Sequence, residues 1–141
     1  MKKRYIKAIK SKIYDYVVMN YPMLDESKFV LGEINYTYKC HLNAVQKAKE
    51  FNSIKVIACV AVEKDKWENI IIHFINQLGN GSYQDNTWGW LYKGWNYYFV
   101  REISPNEYDQ IENLLGYYQD CLLRSNSNTF IRKLFRIKTI V

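Results

Sequence analysis

Proline and glycine are scarce: two and six in 141 residues, too few for a long disordered linker or a collagen-like repeat. No run of about 18 apolar residues occurs, so no segment reads as a membrane-crossing helix. Cysteine is limited to Cys40, Cys59 and Cys121, an odd number without paired spacing. That argues against a secreted disulfide framework and fits a reducing compartment. The N-terminus, Met1-Lys2-Lys3-Arg4, leads into no unbroken apolar stretch with a small-residue cleavage site. The expected location is therefore cytoplasmic, in a bacterial or host cell. Histidine is limited to His41 and His73, and Cys40 with these two lacks the paired spacing of a zinc site. Gly79 and Gly81 precede a strand pattern and not a helix, so no phosphate-cradling loop is present. No metal and no cofactor are expected.

What remains is material for one domain spanning 1–141, with a core over about 29–123 and basic helical ends at 2–19 and 129–138. Apolar residues make up 48% of the chain, and 13 tyrosines and 4 tryptophans supply large rings for the core and for a recognition surface. Net charge is +6, unevenly spread. Residues 2–12 hold Lys2, Lys3, Arg4, Lys7, Lys10 and Lys12, and residues 132–138 hold Arg132, Lys133, Arg136 and Lys138, with no acid in either stretch. A contact with an anionic surface would run through these ends, whose plainer reading is solvated helix faces.

Ile6, Ile9, Ile13 and Val17 recur at helical spacing and predict a helix over 3–19, closed by Pro22. Residues 29–31 and 34–38 suit short extended pieces. Residues 40–51 read as a helix with Ala44, Val45 and Ala48 inward. Residues 54–63 and 69–76 are apolar, β-branched strands covered on both faces. A turn at 78–81, a return strand over 82–88 and a strand over 94–103 follow. Ser104-Pro105-Asn106-Glu107 carries a capping box with proline at the first helical position, opening a helix to about Leu123. Residues 129–138 form a basic amphipathic tail. Helices, then strands, then a helix predict an α+β fold, a small antiparallel sheet packed against the cysteine-bearing helix and the terminal helices.

Thiol chemistry needs a thiolate, favoured by a helix N-terminus or an imidazolium. Cys40 opens a predicted helix, whose free amides also suit an oxyanion. His41 follows it directly and is expected to point elsewhere. His73, a polar ring in an apolar strand, is the candidate base, and Asp85 the group that holds it. The hairpin between them sets a condition. With an odd-length loop, Leu78 to Asn80, His73 faces Asp85; with a two-residue Asn80-Gly81 turn, Asp85 faces Asn76 on the other side.

At Cys40-His41-Leu42-Asn43-Ala44, His73-Phe74-Ile75-Asn76 and Tyr83-Gln84-Asp85-Asn86-Thr87 the sequence resembles the papain-like and transglutaminase-like cysteine hydrolase superfamily, over about residues 38–103. The resemblance implies a cysteine at the start of a buried helix, with a histidine and an acid or amide on successive strands. It makes Cys40 the nucleophile, His73 base and later acid, and Asp85 the orienting group, with Asn86 as substitute and Asn43 in support. Asn35 and Tyr38 are the candidates for an upstream oxyanion-hole side chain. Phe74 stands where many members carry Ala followed by Trp.

The expected function is thus a thiol-dependent hydrolase or acyltransferase acting on an amide, peptide or isopeptide bond of a protein, peptide or small amide substrate. Trp88, Trp90 and Trp95 would wall the substrate site. The alternative is a non-catalytic module of the same fold, of bacterial or phage type, capturing a small molecule or host protein. Cys59 and Cys121 read as core residues.

Overall fold

A computed structural model describes residues 1–141. In chain order the elements are α1 Lys2–Asn20, β1 Phe29–Val30, α2 Cys40–Glu50, β2 Lys55–Glu63, β3 Ile70–Gln77, β4 Tyr83–Gln84, β5 Trp95–Ile103, α3 Ile111–Ser125 and α4 Thr129–Leu134. The fold is α+β, as the sequence implies. The sheet order is β1-β4-β3-β2-β5. It is mixed, which corrects the wholly antiparallel expectation: β1 runs parallel to β4, pairing Phe29 with Tyr83 and Val30 with Gln84. No helix is long and apolar enough to cross a membrane.

β2 lies between β3 and β5, and seven of its nine residues are buried. Its two faces serve two cores. One face carries Val56, Ala58, Val60 and Val62 against Ile9, Ile13 and Val17 of α1, Ala44 and Ala48 of α2, and Leu122 and Leu123 of α3. The other carries Ile57, Cys59 and Ala61, which join Phe29, Ile75 and Tyr97 in a smaller cluster. His73 pairs with Cys59 and so belongs to this second face.

Three local expectations give way. The return strand keeps only Tyr83–Gln84 instead of 82–88. It stops because the Asp85 carboxylate takes the Thr87 and Trp88 amides, both at 2.9 Å, and a 3₁₀ turn follows over Gly89–Gly94. Ser104 does cap, its amide donating to the Glu107 carboxylate at 3.2 Å, but the segment Pro105–Gln110 is 3₁₀ and the α-helix starts at Ile111. Ile34 makes a single bridge to Trp88 and is not part of a strand.

The hairpin meets the parity condition by a different register. Asn76 pairs with Gln84 and Gln77 with Tyr83, leaving the five residues Leu78 to Ser82 as the loop. Odd loop length keeps His73 and Asp85 on one face, although they are not ladder partners. A β-bulge on β5 does similar work for Tyr97. The register shifts between Ala58 and Cys59, so that Ala61 pairs with Tyr97. The extra residue turns Tyr97 to the His73 face while Ile103 and Tyr98 stay in the larger core.

Gly32 crosses directly over the Asp85 carbonyl, well inside the distance any Cβ can tolerate. Gly32→Ala is expected to destabilise the chain by about 1–3 kcal/mol in chemical denaturation, because backbone must move. Gly116, inside α3 with open space around it, is the control. Gly116→Ala is expected to stabilise by about 0.5–1 kcal/mol.

Candidate active site

Cys40 is the first residue of α2 and is 8% exposed. Tyr38, at φ 55°, turns the chain into the helix. The first ladder bond runs from the Asn43 amide to the Lys39 carbonyl, 3.0 Å, so the amides of Cys40, His41 and Leu42 stand outside the ladder. They surround the thiol with partial positive charge.

His73 and Asp85 are both fully buried. An ionised carboxylate can only accept, so the 2.7 Å contact has His73 Nε2–H donating to Asp85 Oδ2. That leaves Nδ1, which has no hydrogen-bond partner, sulfur included. The Cys40 thiol and the imidazole perturb each other electrostatically. Trp88 stacks on the imidazole at 3.9 Å between centroids and 16° between planes. Asp85 fills its remaining lone pairs with the Tyr97 hydroxyl at 2.6 Å and the Thr87 and Trp88 amides. Four donors on one carboxylate explain how the charge survives in the core.

These contacts set the ionisation. Burial works against charge on Cys40, but the His73 charge and the contacts of His41, His73 and the Phe74 amide outweigh it, and the thiol pKa falls to about 6. Burial likewise opposes an imidazolium at His73, yet the Asp85 and Cys40 charges raise its pKa to about 10. Asp85 is held below its ordinary value: burial opposes this, and the His73 charge and hydrogen bonds from His73, the Trp88 amide and Tyr97 overcome it. The thiol shifts down and the imidazole up, so each favours the charged form of the other. Cys59 is the contrast. Burial drives its thiol well above normal, and its Sγ bonds the His73 carbonyl at 3.3 Å.

His41 departs from expectation. It does not point into solvent: its ring is buried, lies 3.6 Å from Glu112 of α3 and is electrostatically coupled to the Cys40 thiol. Its pKa is raised, first by Cys40 and further by Glu112, against the effect of burial.

The supporting amides have other partners. Asn86 bonds Asn76, Gln84 and the Glu33 amide and makes no bond to the imidazole, whose carboxylate partner is Asp85. Asn35 donates to Asn43 Oδ1 at 2.8 Å, and Asn43 donates to Thr87 Oγ1 at 3.0 Å. Both amides thus brace the loop preceding α2 against the segment after Asp85. The Tyr38 side chain is 62% exposed and lines a groove with Trp88, Trp90 and Trp95. The groove encloses about 570 Å³ and also touches Ile71, Glu63 and Lys93. Cys40 does not line it. Trp88 separates the groove from His73 by forming a wall of one and the stacking partner of the other.

Sequence reasoning missed Tyr97 and Asn76. Asn76 donates to the Ala44 carbonyl at 2.9 Å and the Lys55 carbonyl at 3.2 Å, tying α2 to the sheet three residues along β3 from His73. A polar residue buried in an apolar strand was the available signal for Asn76. Nothing in the sequence marks the bulge that aims Tyr97. No protein-family model, no curated protein and no solved structure matches the chain.

Asp85→Asn is expected to cut the neutral-pH alkylation rate of Cys40 at least tenfold (about 1.4 kcal/mol), because the imidazolium beside the sulfur loses its counter-charge. Mass-spectrometric labelling with iodoacetamide reads this, and Cys59 stays unlabelled in the folded chain. Tyr97→Phe leaves a buried charge one donor short and is expected to cost about 1.5–3 kcal/mol in denaturant unfolding.

Proposed function

We propose that the chain is a thiol hydrolase or acyltransferase acting on an amide, peptide or isopeptide carbonyl, on a papain-like or transglutaminase-like plan. One observation carries this reading. A buried carboxylate fixes one nitrogen of an imidazole and leaves the other without a hydrogen-bond partner, and that imidazole is electrostatically coupled to a thiol at a helix N-terminus.

In the proposed reaction the Cys40 thiolate attacks the carbonyl carbon and a C–S bond forms. The electron pair moves to oxygen, where the amides opening α2 accept the charge. The intermediate collapses, the C–N bond breaks, and His73 gives its Nδ1 proton to the departing amine. Water or a second amine then attacks the thioester. His73 takes the incoming nucleophile's proton, and the sulfur leaves as thiolate. Asp85 holds Nε2–H throughout and keeps the ring in the useful tautomer. Trp88 restrains the ring from its other face, and the groove beyond it is suited to an apolar or planar portion of the substrate.

A second reading, a binding module on the same scaffold, draws on the groove alone. Its walls are mainly apolar, with four aromatic rings, and Cys40 is absent from them.

The pH dependence separates the two. A depressed thiol pKa means that thiolate is present above about pH 6. A raised imidazole pKa means that the acid persists until about pH 10. Alkylation of Cys40 is therefore expected to rise near pH 6 and then level off. Turnover of a peptide or amide substrate rises at the same pH and falls near 10, where the proton donor is lost. Cys40→Ala abolishes both the alkylation and an acyl-enzyme adduct seen by intact mass. Alkylation that begins only near the ordinary thiol value of 9.0 would reject the hydrolase and favour the binding module.

A further inference from the structure

The two basic stretches lie at opposite ends of the sequence, yet the fold joins them. The Tyr5 hydroxyl of α1 donates to the Asn128 carbonyl at 3.3 Å and accepts from the Asn128 amide at 3.2 Å. The Tyr5 and Phe135 rings meet at 5.7 Å. Lys12 shares a crevice with Asn126, Ser127 and Asn128. The outer side of α1 thus abuts α4 and the tail that follows it.

Apart from a bond from Arg132 to the Thr129 hydroxyl at 3.1 Å, the charges on this face have no internal partner. None of the ten lysines and arginines in residues 2–12 and 132–138 forms an ion pair, whereas six of the other ten do. Beside α4 is a concavity of about 400 Å³ bordered by Arg124, Arg132 and Lys133. Arg132 Nε is buried there without an acceptor. Asp120, the one acid on its border, is already bonded to Arg124 at 3.0 Å.

Two apolar side chains stand in the same region. Phe130 and Leu134, four apart on α4, are 73% and 63% exposed. Residues at that spacing share one helix face. Phe130 has a ring that could stack on a base, but Leu134 has none. An aliphatic and an aromatic side chain presented together among unpaired cations match the boundary between lipid headgroups and acyl chains. Charge complementarity supplies the attraction, and the apolar pair supplies a shallow anchor.

We infer that the face made by the start of α1, α4 and the basic tail docks the protein on an anionic phospholipid surface, with Phe130 and Leu134 entering the interface. The inference is independent of the Cys40 chemistry.

The test is co-sedimentation of the full chain with vesicles. One set is phosphatidylcholine alone and the other includes about 30% phosphatidylglycerol. Binding is expected to the anionic vesicles only, and to weaken at least tenfold between about 0.1 and 0.5 M salt. The double variant Phe130→Ser, Leu134→Ser changes exposed positions only, and is expected to lose about tenfold in vesicle affinity while keeping its circular dichroism spectrum and melting temperature. Lys7→Gln with Lys133→Gln and Arg136→Gln is expected to lose at least as much. No binding to either vesicle, equal binding to both, or an unchanged affinity of the Phe130/Leu134 variant would overturn the inference. So would fluorescence anisotropy showing tight capture of a DNA or RNA oligonucleotide by a chain that ignores anionic vesicles.

Discussion

A carboxylate with no access to water organises the second face of this sheet. An ionised Asp85 in the interior is tolerable only while nearly every lone pair is occupied by a donor, and the four donors come from three places. They are the ring of His73 on β3, the hydroxyl of Tyr97 on β5, and two backbone amides from the turn after Asp85 itself. The local chain path follows from this requirement. β4 ends after two residues because the amides that might have continued the ladder are turned inward to the carboxylate. The bulge on β5 is needed because regular pairing would turn Tyr97 to the opposite face. Gly32 is needed because another strand of backbone passes directly over the Asp85 carbonyl.

Around that charge lies a neutral polar network with a different task. Asn76, Asn86, Asn43, Asn35 and Thr87 bond one another or nearby carbonyls, linking the sheet, the α2 helix and the segments on either side. Buried amides are costly when a partner is missing and rigid when none is. Their position matters for that reason. α2 carries the sulfur and β3 carries the imidazole, and the two elements share an apolar contact that alone permits sliding. The bond from Asn76 to the Ala44 carbonyl has one optimal geometry and fixes the helix against the strand.

Most of the architecture was legible because apolar periodicity is a property of neighbours in sequence. α1, α2, β2, β3 and β5 lie within two residues of their expected bounds. The helix start at Cys40 and the pairing of His73 with Asp85 were also legible, since a helix start and a strand parity are local features. What escaped depends on events between distant segments. The length of β4 is decided by a side chain capturing its own backbone. The parallel β1 is decided by two residues meeting β4 from more than fifty positions away. His41 was misjudged because neighbours on a helix diverge only on average. At the first turn, where Cys40 is short and Glu112 pulls from α3, the imidazole stays coupled to the sulfur.

That coupling bears on charge balance. With Cys40 and Asp85 as anions and His73 as a cation, the buried cluster holds one surplus negative charge. A low-dielectric interior penalises such an excess strongly unless positive potential is placed beside it. Two sources are present, and both bear on the sulfur and not on the carboxylate. One is the set of unbonded amides opening α2, and the other is His41, whose affinity for a proton is raised by Cys40 and Glu112. Cys59, on the neighbouring strand and beside the same carboxylate, has neither, and its thiol is driven the other way. The difference between the two cysteines therefore comes first from the His73 charge, which acts on Cys40 and not on Cys59, and then from the contacts of His41 and the Phe74 amide at the helix start. A thiol placed one strand away, with the same acid nearby, would remain a small apolar side chain.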